Sequence, residues 1–276
     1  NARAVILATG GIGRLHLDGF PTSNHFGATA DGLVLAYRIG ARLRDVDTFQ
    51  YHPTGIAHPV YLRGFLVTEG VRSSGAHLLN GLGERFVDEL KPRDHLSAAI
   101  LRECSEGRGI VVENEVKGVW LDTPFLEKEH PGTLQNRFPK LYMRCKKRNL
   151  DPSKEPLIVY PTLHYQNGGI KIDEHGRTTV PGLYSAGEVS GGVHGRNRIM
   201  GNALLEIISF GRKAGANAAK RIHGRGHKKI TIEHVRRLRR ELTHAGMSME
   251  LKSPILFPHV TGKRKRNAKG KPGSTS

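Results

Sequence analysis

The chain has 276 residues and carries 43 Lys/Arg against 25 Asp/Glu, a formal charge of +18. It is long enough for one large or two modest domains with a buried core. A hydrophobic share of 37% with 25% charged residues excludes wholesale disorder. No run of about 18 apolar residues offers a membrane-spanning helix. The two cysteines, Cys104 and Cys145, are too few for a disulfide framework or a zinc cluster, so a reducing compartment is the expectation.

The opening segment, Ala2 to Gly13 (ARAVILATGGIG), reads as a buried β-run followed by a glycine cluster, without the basic leader of a secretory signal. A continuous apolar strand suits a parallel sheet covered on both faces, and glycines at its carboxyl end let the backbone approach a ligand. Residues 28–40 (ATADGLVLAYRIG) read as a helix closed by Gly40, and strand, glycine turn and helix together predict an α/β layout. From Thr48 to Tyr160 the pattern turns irregular, with a helix predicted over Asp94–Arg108 and a Pro/Lys-rich stretch at 129–156, as in an α+β domain. A hairpin-like segment follows at 168–188. A strong helix is then predicted over Asn202–Arg221, capped by Asn202, with Leu204, Ile208, Gly211 and Gly215 on one stripe. The small residues in its second half predict close packing against a sheet.

The charge is concentrated at the end of the chain. Residues 221–276 hold 15 Lys/Arg and 3 Asp/Glu, a net of +12, leaving +6 for residues 1–220. Residues 231–250 read as a short basic helix and Gly262–Ser276 as a polar, solvated tail. No aromatic residue interleaves that basic run, which argues against nucleic acid as a partner.

Four motifs are dense in groups suited to anions: YHPTG at 51–55, VTEGVR at 67–72, PTLHYQNGG at 161–169 and GEVSGGVHGRNRIMGNALL at 187–205. Singly, each has a plain reading as a turn, a cap or a structural histidine. Their joint order, with an Arg-rich glycine loop running into a helix N-terminus, points to an anion or electron-rich ring as ligand. With ATGG at 8–11, ADG at 30–32, GERF at 83–86, PRD at 92–94, PGLYSAGE at 181–188 and FGR at 210–212, they occur in family order over roughly residues 1–222. On these motifs the chain resembles the FAD-dependent succinate dehydrogenase/fumarate reductase flavoproteins, which include L-aspartate oxidase.

The resemblance implies part of a Rossmann-like FAD-binding domain at 1–47 and 163–222, interrupted by an α+β capping domain at 48–162 and followed by a basic helical extension at 223–276. It implies hydride transfer between FAD and a four-carbon dicarboxylate. His52, Thr68, His164 and Arg198 would bind substrate. Arg93 would donate the proton, relayed through Glu69 and Arg72, although general-acid chemistry by itself nominates His52 or His164. Gly10, Gly11, Asp31, Glu188, Asn202, Ala203 and Leu204 would hold FAD, with the backbone of Ala203 and Leu204 facing the pyrimidine edge of the ring.

Three departures stand out. The family's initial GxGxxG strand-turn-helix is not in the sequence, so a missing N-terminal FAD-binding segment is an expected partner. Met200 and Arg196 replace a usual Gly and Ala beside Arg198. Ser73-Ser74 replace a common Gly-Glu beyond Arg72, at the outer end of the relay. An iron–sulfur electron-transfer subunit is the other expected partner, and the expected location is cytoplasmic or at the inner face of the cytoplasmic membrane through partner subunits. L-aspartate oxidase is the alternative activity, favoured by the long HPTGIAHPVYLRGFLVTEG connection. A non-catalytic basic module or gene remnant is the second alternative.

Overall fold

The computed structural model describes residues 2–15, 21–113, 115–199, 201–223 and 231–247. Contacts group the chain into two units, one of Ala2–His227 and the other of Asn1 with Lys228–Ser276.

The larger unit begins with β1 (Val5–Leu7), α1 (Asp31–Arg38), β2 (Leu43–Arg44) and β3 (Phe49–His58). The middle of the chain supplies α2 (Glu69–Ser73), β4 (His77–Leu79), α3 (Arg93–Ser105), β5 (Ile110–Val112), β6 (Glu115–Asp122), α4 (Thr123–Glu129), α5 (Thr133–Arg137) and α6 (Pro139–Lys146). The unit closes with β7 (Leu157–Gln166), β8 (Gly169–Lys171), β9 (Leu183–Ser185), β10 (Ser190–Gly191) and α7 (Asn202–Ile222).

Strands β3, β7, β6 and β4 form an antiparallel sheet in that order, with β5 added on β6. Both long strands are rich in β-branched and aromatic residues and are buried along most of their length, as central strands require. Pro53 interrupts β3 where the register with β7 slips, between His52 and Gly55. Proline has no N–H for the ladder, and the irregularity that accommodates it re-aims the neighbouring side chains. Helix α3 buries Leu96, Ser97, Ile100 and Glu103 and packs on β3, β6 and β7. Ile56, Leu78, Leu96, Ile100, Leu121, Leu126, Leu134 and Leu157 make a fully buried core drawn entirely from the middle of the chain. Each such side chain contributes about 1.5–3 kcal/mol by leaving water.

A second, smaller core joins Ala36 and Ala41 to Ile170, Leu183 and Val189, bringing together the start and end of the unit. Here β1 pairs in parallel with β9, while β8 lies between parallel β10 and antiparallel β2.

Several sequence expectations are corrected in this region. The β1 run is not buried along its length: Val5 and Ile6 are 46% and 42% exposed, while Leu7 packs into the second core. Residues 168–188 are not a hairpin, since β8 and β9 belong to different sheets. Helix α7 is capped by Gly201 in the left-handed conformation, and Asn202 is its first residue, with no side-chain cap. The apolar stripe of α7 faces outward, with Leu204 and Ile208 nearly 70% exposed, and the spaces beside Gly211 and Gly215 are open. The packed face is instead Glu206, Ala214 and Ala218. A buried carboxylate on that face defeated the hydrophobic count.

In the smaller unit, α8 (Glu233–His244) realises the basic helix over 231–250, shorter at both ends, with every described residue exposed or half-exposed. The tail, Gly262–Ser276, lies outside the described residues.

Candidate active site

A cavity of about 580 Å³ is lined by residues from the start, middle and end of the larger unit. Its walls come from the β1–α1 turn (Thr9, Gly10, Gly11), the Ser23–Ala28 segment, Glu188, and the start of α7 at Gly201, Ala203 and Leu204. Arg93, His164, Tyr165 and Arg198 line the same space. A Cβ on Gly11 would lie 2.6 Å from Glu188 Oε1, so only glycine lets the chain pass that carboxylate. The first turn of the 21-residue α7 borders the cavity with the partial positive charge of a helix N-terminus, although the N–H groups of Asn202 and Leu204 donate to the carbonyls of Ile199 and Gly201 at 3.3 and 3.2 Å.

At one end of the cavity stand three guanidiniums. Arg198 is buried, and its Nη2 donates to Gln50 Oε1 at 3.0 Å. Arg93 Nη1 donates to the same oxygen at 3.1 Å. Gln50 closes the bridge by donating from Nε2 to the backbone oxygen of Arg198 at 2.6 Å. Arg93 also lies 3.4 Å from Glu69, and Arg72, whose side chain is 1% exposed, lies 3.7 Å from the same carboxylate oxygen. Among the described residues, Glu69 is the one carboxylate within ion-pair distance of any of the three.

Arg93 is the first residue of α3, where the helix dipole opposes a cation by a few tenths to about 1 kcal/mol. Its place there is explained by Glu69 and Gln50 rather than by helix stability. Burial and the Arg93 charge push the Arg72 and Arg198 guanidiniums below their usual range; Glu69 and Glu89 act in the opposite sense at Arg72, and Glu188 and Glu206 at Arg198.

Two imidazoles complete this end, His52 and His164, with ring centres 5.5 Å apart in an edge-to-face arrangement. Burial, then Arg93, His164, Arg72 and Arg198 in that order, holds His52 well below the usual histidine range. Its Nδ1 accepts from the backbone N–H of Thr54 at 3.3 Å, which leaves the ring proton on Nε2. His164 is pushed down to about 4 by burial and by the charges of Arg93 and Arg198, and its Nδ1 meets Ser23 Oγ at 2.9 Å. Both rings are therefore neutral at pH 7. Arg72, Arg93 and Arg198 outnumber Glu69 and the cavity-lining Glu188, so the cluster carries net positive charge and suits an anion.

The structure brings together His52, His164, Arg198, Arg93, Glu69 and Arg72, and places Gly10, Gly11, Glu188, Ala203 and Leu204 around the adjoining cavity. Thr68 is exposed and caps the short α2, its hydroxyl accepting from Gly70. Asp31 lies exposed at the start of α1, bonded to Thr29, and Asn202 is also outside the cavity lining. Arg196 is exposed and pairs with Asp47 at 2.8 Å and Asp45 at 3.4 Å, so it does not join the cationic cluster. Met200 lies outside the described residues. Glu188 accepts from the backbone of Gln166 at 2.9 Å, and burial raises its pKa.

Sequence reasoning missed Gln50. The signal was available: Gln50 and His52 are two apart on one strand and share a side of it.

The family model for the FAD binding domain matches residues 1–204. The chain belongs to this family. FAD, the cofactor expected from the motifs, is the one in the family's description. The chain is 43% identical over 226 residues to one of the subunits of the fumarate reductase (CoM/CoB) of Methanothermobacter marburgensis, covering 79% of this chain and 39% of the relative. It is 42% identical over 214 residues to an L-aspartate oxidase of Clostridium perfringens, covering 77% of this chain and 46% of the relative. Its fold matches the E. coli quinol fumarate reductase flavoprotein with a TM-score of 0.74 at 34% identity, over 87% of this chain and 43% of that one. The chain thus spans less than half the length of these relatives. Among the described residues, no helix is long and apolar enough to cross a membrane.

Proposed function

We propose that this FAD-binding-family chain carries the dicarboxylate site of a flavin-dependent oxidoreductase of the succinate/fumarate type. The carrying observation is the cluster of Arg72, Arg93 and Arg198, which outnumbers the nearby carboxylates Glu69 and Glu188, with His52 and His164 neutral. A four-carbon diacid brings negative charge to this cluster at both of its ends. Arg198, with its planar fork, clamps one carboxylate, and the N–H groups of His52 and His164 hold the other with Thr68 at the rim.

The cavity fits FAD in part. Gly10, Gly11, Glu188 and the first turn of α7 would hold it, with Asp31 and Asn202 as further contacts that the resemblance implies. When bound, the flavin ring supplies or accepts the hydride. The protein's own task is orientation and the proton. Glu69 lies between the guanidiniums of Arg72 and Arg93, so a proton lost from Arg93 to the substrate carbon is replaced through Glu69 from Arg72. Ser73, at the outer end, spends its hydroxyl on the backbone oxygens of Glu69 and Gly70. Burial among cations removes the histidines as acids at neutral pH, which supports Arg93 in that role.

The domain reading follows the cores: a capping domain over 48–162 set into an FAD-binding domain of 1–47 and 163–222. The resemblance adds an electron partner, the iron–sulfur subunit.

The test is reduction of fumarate by the chain reconstituted with FAD, together with whatever further segment FAD retention requires. Arg93→Gln is expected to abolish olefin reduction while FAD binding is unchanged, and substantial residual turnover would move the acid to a histidine. L-aspartate oxidase is the second reading, favoured by the relatives of that name. L-aspartate also carries two carboxylates, but its ammonium would sit among guanidiniums, which favours the unsubstituted diacid. Turnover of succinate compared with L-aspartate separates the two.

A further inference from the structure

Next to Arg198 lies a buried network that the mechanism above does not use. The guanidinium of Arg198 sits over the ring of Tyr165, 4.3 Å from its centre. The phenol of Tyr165 donates to Glu206 Oε2 at 3.0 Å, and His194 Nε2 meets the same oxygen at 3.0 Å. The rings of Tyr165 and His194 are packed edge to face, 5.7 Å apart. Side-chain exposure is 1% for Glu206 and 7% for His194. Glu206 lies just beyond the first turn of α7, the helix whose start borders the cavity, so the network ties that helix to the strand bearing His164.

A buried carboxylate costs several kcal/mol unless it is paired, and Glu206 Oε1 has no hydrogen-bond partner among the described residues. Such a group weakens the helix it sits on, so a reason for it lies in what it holds. It holds the tyrosine. We propose that Tyr165, pinned by Glu206 and His194, is a positioning residue that fixes the plane of the Arg198 guanidinium for bidentate capture of a substrate carboxylate; this rests on the dicarboxylate reading of the site.

The geometry supports the assignment. Arg198 makes no ion pair among the described residues, and its Nε is buried without a hydrogen-bond partner. One hydrogen bond to Gln50 leaves the guanidinium free to swing about that contact. The flat face of Tyr165 removes this freedom without adding a negative charge that would cancel the cation. A carboxylate in the same place would fix Arg198 equally well and destroy its use. Burial, with the nearby Glu206 charge, raises the Tyr165 pKa, so the phenol stays protonated and remains a donor to Glu206.

The test measures fumarate affinity by calorimetry on the full chain, with far-UV circular dichroism to verify folding. Tyr165→Leu removes the ring and is expected to weaken fumarate about tenfold, in the range of a desolvated cation–π contact. Tyr165→Phe keeps the ring but not its anchor, and is expected to stay within about threefold of the parent. In an Arg198→Lys background, where the planar fork is gone, Tyr165→Leu is expected to add less than about a threefold loss, since a residue acting through Arg198 has nothing left to orient. Equal affinities for Tyr165→Leu and the parent would overturn the proposal. So would a tenfold loss that persists in the Arg198→Lys background. Failure of the parent chain to bind fumarate would overturn the dicarboxylate reading itself, a result distinct from these.

Discussion

Replacing His164 by Asn tests the electrostatics of the site without a cofactor or a substrate. His164 titrates near 6.5 when unfolded and is pushed down to about 4 in the fold by burial, Arg93 and Arg198. A depressed histidine is a group the native state keeps neutral while the unfolded chain takes up the proton. Between these two values the unfolded state binds more protons, so stability rises with pH and is lost as pH falls. From pH 7 to pH 4.5 that difference amounts to about 2 kcal/mol for this one group. His164→Asn removes the titration while keeping a side chain able to meet Ser23 Oγ. Urea unfolding of both proteins at pH 7 and pH 4.5 measures the effect. The parent is expected to lose about 2 kcal/mol more than the variant across the interval. Parallel losses would show that burial and the neighbouring guanidiniums do not hold His164 below its usual range, and would refute the reasoning.

Other perturbations address different parts of the structure. Gln50→Glu puts a carboxylate between Arg93 and Arg198, where two guanidiniums already donate to one oxygen; thermal unfolding is expected to rise, while fumarate affinity falls at least about tenfold, as for the loss of a charge-assisted contact. Leu126→Ala empties a fully buried position in the larger core and is expected to cost about 2–5 kcal/mol by denaturant unfolding. Gly168→Ala sets a Cβ 1.9 Å from the backbone oxygen of Asp45, which cannot move aside, and is expected to cost about 3 kcal/mol or more, read as a lowered urea midpoint.

What the sequence revealed of the site, and what it concealed, divides by the kind of information involved. His52, His164, Arg93 and Arg198 lie in short motifs whose chemistry is local, and the fold brings them within one cluster as the motif order implied. The α3 helix was legible because its apolar residues recur at helical spacing and Pro92 stands at its start. The direction of a helix face was not legible for α7. Leu204, Leu205, Ile207 and Ile208 point outward, and the buried positions are Glu206, Ala214 and Ala218. Periodicity counts apolar residues; it cannot see that Glu206 is buried because a tyrosine 41 positions earlier donates to it. Gln50 was hidden for the same reason. Its importance lies in a contact with Arg198, 148 positions away, and an amide carries no sign of which charges it will meet.

The choice of an amide at that point has a physical logic that links the fold to the proposed chemistry. Arg93 stands close to the buried Arg198 and lowers its tendency to stay charged. A carboxylate between them would relieve the repulsion and stabilise the fold, but it would also discharge the site. Gln50 offers one oxygen to both cations and keeps their charge available, and Tyr165 does the same for Arg198 through its ring face. The neutral histidines extend this pattern, donating N–H groups without adding to the repulsion. The carboxylate within ion-pair distance of the cluster is Glu69, between Arg72 and Arg93, where a proton carrier is needed. The repulsion left in the cluster is then what a dianion relieves on binding, so the site gives up stability when empty in order to gain affinity when filled.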